Sequence, residues 1–327
     1  MAIHLRATGY QGRKVQLILR NPDGTDKIVL DILQKEECGD CTGIIMAEGM
    51  EGLYHTRRTL VRKSGSYQEG STLTMFPRVE ERLPKITLMT RGRSLREFER
   101  LENLLWKVLS LRWDCYLRVY SELSQWRELK VRLEDVPSDK TNTWLGLGDY
   151  THVWECPLLA VDPFWYSREI KRSIKRAQMT PQGDGSYLGY IELVNPADQD
   201  CYPDWASNEL TVTTVWQLPD GFGIYTAATA PTPDKIGQPV MHKIPDASGL
   251  GPGKEFLVQT YPDRPTLLVR DGGQDWARMR GEAFDFPLPA GTVTPQSVPV
   301  RVTGGTDDSE VTCYMPQRWD RYMGGEA

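Results

Sequence analysis

Histidine is scarce in this 327-residue chain. The four, His4, His55, His152 and His242, lie in separate segments, and none falls in an H-E-x-x-H or comparable ligand spacing, so no helical zinc-hydrolase site is offered. Cysteine is almost as sparse. Six residues, at positions 38, 41, 115, 156, 201 and 313, are too scattered for a disulfide framework. No uncharged apolar run approaches the ~18 to 20 residues of a spanning helix. The opening MAIHLRATGY alternates polar and apolar residues instead of building the apolar core of a signal peptide. The expectation is a protein made in the cytosol and kept there or released by lysis. A strong charge is also missing. The formal net charge of −5 gives no basis for the sequence-independent phosphate binding of a strongly basic chain.

Nucleophile and nucleotide motifs are missing too. There is no G-x-S-x-G elbow. In SGLGPGKE, Ser248 stands where a phosphate loop needs its first glycine, and Glu255 stands where Ser or Thr must hold magnesium. GLGDY at 146–150 lacks the third glycine of a dinucleotide fingerprint. The carboxylates of RVEERL and GTDDSE are chain neighbours, which a strand sends to opposite faces, so no pair is selected for glycosidase geometry. The chain therefore reads as non-enzymatic and free of cofactors.

Two weaker signals remain. Cys38 and Cys41 form a C-x-x-C within ECGDCTG, and His55 is the nearest further ligand for a metal, but a fourth group is lacking and Gly39–Asp40 reads as a polar turn. Among the ten tryptophans, Trp205 in CYPDWAS and Trp276 in GGQDWARM are loop candidates for glycan contacts. Trp106 and Trp216 sit in helical and strand contexts suited to burial.

One helix is legible in RSLREFERLENLLWKVLSL. Ser94 and Glu97 have the spacing of a capping box, and Phe98, Leu101, Leu104, Leu105, Val108 and Leu109 make one apolar face. Period-2 segments flank it: KITLMT before, then CYLRVYS, and WRELKVRLEDV with Leu129, Val131 and Leu133 on one face. THVWECPLLAV is a further strand. The first half is thus a β-rich α+β domain with one packed helix. In VDPFWYS, Asp162 and Pro163 end that last strand, and Phe164, Trp165 and Tyr166 read as a domain-closing plug, the first two inward and Tyr166 toward the interface.

Residues 168–186 begin basic, with Lys171, Arg172, Lys175 and Arg176, and end in turn formers, which reads as a solvated connection. Beyond Tyr187 the chain shows short alternating segments, among them YIELVN, ELTVTTVW, EFLVQTY, TLLVR, VPVRV and EVTCYM. Turn-rich stretches such as LPDGFG, PDRP and TGGTDD separate them, as in an all-β sandwich. Val298, Val300 and Val302 mirror Val311, Cys313 and Met315 across GGTDDSE, as in a hairpin with one buried face.

This order of segments resembles the distal tail proteins of long-tailed phages, in the form often called minor tail protein in phages of actinobacteria. The resemblance rests on RGRSLREFERLENLLWKVL, then RELKVRLEDV, LLAVDPFWYS, IELVNPADQDCYPDW, DWARMRGEAFDFPLPAGT and the RWDRYMGG end. It covers essentially the whole chain, with residues 35–60 outside the pattern. It implies a mainly β protein in which residues 1–167 form a tube-like ring domain, 168–186 a connection and 187–327 a galectin-like β-sandwich. It further implies a homohexameric ring at the distal end of the tail tube, adapting it to the tail tip or baseplate. The partners so implied are further copies of the chain, the tail tube protein, the tape measure protein and the tail-associated hub protein. The genome would pass through the lumen without specific binding, no membrane is involved, and the location is the virion tail tip after assembly in the host cytoplasm. The rival reading is a carbohydrate- or receptor-binding tail protein using the C-terminal sandwich. A cell-wall hydrolase of the tail tip would need an acidic residue that nothing singles out.

Overall fold

The computed structural model describes residues 3–5, 14–34, 41–60, 62–63, 72–73, 77–140, 150–208, 213–245, 255–269 and 275–326. The protein is mainly β, with one α-helix among the described residues. No helix of the described residues is long and apolar enough to cross a membrane. The chain divides into two compact units. The first comprises Met1–Ser167 and Trp319–Gly325, the second Arg168–Arg318 with Glu326–Ala327.

The first unit contains β1 (Ile3–Leu5), β2 (Lys14–Arg20), β3 (Asp26–Gln34) and β4 (Gly43–Met46). Four two-residue strands follow, β5 (Arg58–Thr59), β6 (Arg62–Lys63), β7 (Thr72–Leu73) and β8 (Arg78–Val79). Then come β9 (Lys85–Arg91), α1 (Leu95–Val108), β10 (Cys115–Ser121), β11 (Gln125–Leu133), β12 (Ser138–Asp139) and β13 (Thr151–Leu159). Strands β13, β9, β4, β3, β2, β10 and β11 pair in that order. Strand β11 pairs again with β13 through Arg132↔Leu159 and Leu133↔Leu158, so these seven strands close into a barrel. Closure removes the open edges that would otherwise template aggregation. The inward face follows from period 2: Cys115, Leu117 and Val119 of β10 stand opposite Val131, Leu129 and Arg127 of β11, and all six are buried.

Helix α1 packs its apolar side on β2, β3, β4 and β9, burying Phe98, Leu101, Leu104, Leu105 and Val108. Its start departs from the expected capping box in one arm. The Ser94 hydroxyl accepts from the Glu97 amide (3.3 Å), but the Glu97 carboxylate reaches past Ser94 to the Arg93 amide (2.9 Å). Midway along the helix, the Glu102 carboxylate accepts from the indoles of Trp106 (2.8 Å) and Trp154 (3.0 Å) and from the Thr90 hydroxyl, tying α1 to β9 and β13.

Strand β14 (Trp165–Lys175) starts in the first unit and ends in the second. The second unit adds β15 (Thr180–Pro181), β16 (Ser186–Asn195), β17 (Asp204–Ser207), β18 (Val215–Ile224) and β19 (Pro239–Lys243). It is completed by β20 (Phe256–Val258), β21 (Leu267–Val269), β22 (Thr292–Thr303) and β23 (Glu310–Trp319). One sheet runs β15-β16-β22-β18-β19, and the other strands pair as β14-β23-β17-β20-β21. Both sets feed one core, with Leu193, Trp216, Leu218 and Val300 from the first and Trp205, Val258, Cys313 and Met315 from the second.

Three expectations need correction here. Residues 168–175, read as a solvated connection, are the second half of β14; their charges are mostly exposed, while Ile174 is buried in the core and Ile170 packs against it. An exposed strand face rich in Lys and Arg looks like a linker when only composition is read. Second, β22 and β23 are not hairpin partners: β22 pairs with β16 and β18, β23 with β17, so the GGTDDSE turn crosses from one sheet to the other. The two valine-rich faces mirror each other because they face across the core. Third, LPDGFG, read as a turn, lies inside β18, with a register shift between Pro219 and Ile224. Its glycine serves close approach, since a Cβ on Gly221 (φ +51°) would meet the Phe286 carbonyl oxygen at 2.1 Å.

Candidate functional site

Segment Trp319–Gly325 belongs to the first unit, and two buried arginines receive it. Arg127 sits on the inward face of β11 in line with Leu129 and Val131, fully buried. Its Nη1 donates to the carbonyls of Arg321 (2.7 Å) and Gly324 (2.8 Å), and its guanidinium lies 3.7 Å from the centre of the Trp319 ring. Arg82, 2% exposed, joins three separate stretches of chain. Its Nε donates to the Pro163 carbonyl (2.7 Å), Nη1 to Gly52 (3.2 Å) and Nη2 to Asp320 (2.7 Å). The planar guanidinium fork suits this task, because its donors diverge at fixed angles.

A buried guanidinium is costly unless its donors are met. Burial lowers the Arg82 pKa to about 10, and the Asp320 carboxylate, 3.9 Å away, works against that fall, leaving the cation charged at neutral pH. Asp320 is also held on its other side. It accepts from the Thr56 amide (2.8 Å) and faces His55 Nδ1 at 3.0 Å. Burial pushes its pKa up, but the bonds from Thr56 and His55 outweigh this and hold it below the usual carboxylate range.

Smaller contacts complete the clasp. The Trp319 indole donates to the Ser167 hydroxyl (2.9 Å) and the Gly324 amide donates to the Ser124 hydroxyl (2.8 Å). Tyr322 meets Tyr54 edge-on (5.1 Å between centroids) and lies 6.1 Å from the Trp165 ring. Gly52 is fitted to its place, since at φ +71° a Cβ would meet the Leu83 carbonyl oxygen at 2.7 Å. The arrangement binds chain to chain: its donors are directed at backbone carbonyls.

The residues singled out from sequence fall in different places. Phe164 and Trp165 are buried, with the Trp165 indole donating to the Leu53 carbonyl (3.2 Å), and the Tyr166 hydroxyl donates to Asp162 (2.6 Å). The Pro163 carbonyl of the same stretch is the one Arg82 holds. His55 belongs to the clasp through Asp320. Cys41 is disulfide-bonded, so it presents no thiolate, and Cys38 lies outside the described residues, as do most of SGLGPGKE and GLGDY. Among the described residues no three His, Cys, Asp or Glu side chains group as a metal site. Trp205, expected in a loop as a glycan contact, is instead fully buried in β17, where no sugar reaches it. The alternation of β17 is only four residues long, too short to have stood out between its flanking turn formers. Trp276 is 57% exposed, in a one-turn 3-10 helix, Trp276–Met279.

Neither arginine of the clasp was recognised from sequence. A signal existed for Arg127, which shares the parity of Leu129, Val131 and Leu133 and so had to point inward. Arg82 carried none, since RVEERL reads as a charged edge.

The fold is similar to those of phage hub and baseplate proteins of known structure. One similar structure is the Dit (gp 19.1) protein of phage SPP1, with a TM-score of 0.54 and 11% identity over 94% of this chain and 99% of that one. A second is a chain of the phage P2 baseplate in its activated conformation with calcium, with a TM-score of 0.51 and 12% identity over 95% of this chain and 100% of that one. At these identities the likeness is one of fold. No protein-family profile matches the sequence, and no curated protein matches it.

Proposed function

We propose that the protein is a non-enzymatic structural component of a phage tail, forming a ring at the distal end of the tail tube and adapting it to the tail tip or baseplate. The observation that carries this reading is the extent of the fold match. It spans 94% of this chain and 99% of SPP1 Dit, described as a paradigm of the hub adsorption apparatus in Gram-positive infecting phages. A match of that extent involves both units, not a widespread sheet motif alone.

In this reading the first unit makes the ring from six copies, with the tail tube, tape measure and hub proteins as neighbours and the genome passing through the lumen. The closed barrel supports it, because a ring component must present surfaces to its neighbours without loose strand edges. Leu123, Val136 and Val161, each more than two-thirds exposed on the first unit, are apolar positions suited to burial between copies. Light scattering and negative-stain imaging of the purified protein test the reading. Annular particles with the mass of six chains are expected, and a monomer at every concentration would overturn it.

A further inference from the structure

In the second unit His242 faces a carboxylate with each of its ring nitrogens. Its Nε2 lies 3.2 Å from Asp220 of β18, and its Nδ1 lies 3.4 Å from Glu282, in the segment that follows the 3-10 turn Trp276–Met279. The Phe284 ring of that segment stands edge-on to the imidazole, with 4.7 Å between centroids. Immediately beyond, the Asp285 and Phe286 amides donate to the Asp220 carboxylate at 2.9 and 3.0 Å, which anchors the segment to β18. Asp220 and Glu282 are thus the charged groups that face the ring, while Leu218, opposite it in register on β18, and Phe284 are apolar. Lys243 follows it on β19 and lines the adjoining cleft together with Glu282 and Met279.

Counting protons shows what this arrangement requires. A neutral imidazole carries one N–H and donates to one carboxylate, whereas the imidazolium donates to both. Burial works against that cation, but the bonds to Asp220 and Glu282 outweigh it and raise the His242 pKa above its ordinary 6.5. Once the proton leaves, one ring nitrogen presents a bare lone pair to a carboxylate and the two repel, so one contact has to be given up. Burial decides which. Asp220 is 2% exposed and tied to two amides, whereas the Glu282 side chain is 52% exposed and is solvated by a small turn outward. Arg280 and Gly281, both at positive φ (53° and 84°), redirect the chain just before Glu282 and supply a hinge.

We propose that His242 is a proton-operated latch: charged, it clips Glu282 and the chain as far as Phe284 onto β18 and β19, and neutral, it releases Glu282 while Asp285 and Phe286 stay fixed to Asp220. The sense of the switch follows from the raised pKa. The latch is closed at and below pH 6.5 and opens as pH rises through the folded value. Because Glu282 also lines the cleft, its release changes that wall. The latch lies within one unit of one chain and does not depend on ring assembly, so either proposal can fail while the other stands.

Residue-resolved hydrogen–deuterium exchange of the full chain at about pH 6 and about pH 8, each amide corrected for its intrinsic rate, tests it. The amides of Glu282, Ala283 and Phe284 should be about tenfold less protected at the higher pH, the loss of one charge-assisted bond, while those of Asp285 and Phe286 keep their protection. His242→Asn and Glu282→Ala should each show the open level at both pH values. Glu282→Ala changes an exposed side chain and keeps the test decisive even where His242→Asn fails to fold. A parent without pH dependence in this segment, a Glu282→Ala profile as steep as the parent's, or an equal loss at Asp285 and Phe286 would overturn the latch.

Discussion

The Arg127 guanidinium carbon sits over the Trp319 ring, 3.7 Å from its centre, while its Nη1 reaches two carbonyls of the same returning segment. Replacing Arg127 with Ala removes the stack and strips the Arg321 and Gly324 carbonyls of this donor. A loss of about 2–4 kcal/mol is expected. Lysine, which lacks the fork, should recover only part of it. Urea unfolding of both variants measures the difference, and an unchanged midpoint for Arg127→Ala would show that the clasp does not stabilise the first unit.

Trp165 is fully buried and hydrogen-bonded to the Leu53 carbonyl. Trp165→Ala should therefore cost about 3–5 kcal/mol, and Trp165→Phe clearly less because most of the volume is kept. Thermal melts read out both. Equal melting temperatures for parent and alanine variant would contradict the burial.

His242 lies between Asp220 (3.2 Å) and Glu282 (3.4 Å). Burial opposes its charge, yet the two carboxylates outweigh burial and raise its pKa above 6.5. A histidine raised on folding contributes stability that is complete below pH 6.5 and lost as pH rises through the folded value. Unfolding midpoints between about pH 6 and pH 8 should fall more for the parent than for His242→Asn. Parallel profiles would remove the ion pair from the account.

Asp204 shows the opposite economy. Burial drives its pKa up to about 6, only partly offset by Arg264 and the Thr260 amide, with Glu169 adding to the rise. Its favourable contribution is complete below pH 3.8 and is lost as pH rises through about 6, so at neutral pH the charge is a burden. Asp204→Asn should raise stability at pH 7 by about 1–3 kcal/mol and flatten the profile between the two pKa values. Calorimetry at pH 4 and pH 7 distinguishes this from a neutral exchange.

The elements legible in the sequence were those whose pattern is local. Helix α1 announced itself through Ser94, Glu97 and its apolar stripe, and β9, β10, β11 and β13 through alternation. What stayed hidden depends on contacts far along the chain. Asp220 follows Pro219 and precedes Gly221, which spells a turn, but its buried carboxylate accepts the Asp285 and Phe286 amides at 2.9 and 3.0 Å, a use no local pattern discloses. Sheet membership of β22 and β23 was hidden for the same reason. Two facing sheets and one hairpin bury the same alternate residues, and only the pairing partners tell them apart. The clasp is the extreme case, since Arg82 and Asp320 look like ordinary surface charges until the chain brings them together.

The chain leaves the first unit after Ser167 and re-enters it at Trp319, on strands β14 and β23 that are sheet neighbours. The body of the second unit, Arg168–Arg318, is therefore a cassette whose two ends run on neighbouring strands. Such a cassette can be enlarged, exchanged or excised across a short bridge without reordering a single strand of the barrel, so the two units are free to diversify at different rates. The grip of Arg127 and Arg82 on Trp319–Gly325 fixes the chain at the point where it re-enters the first unit.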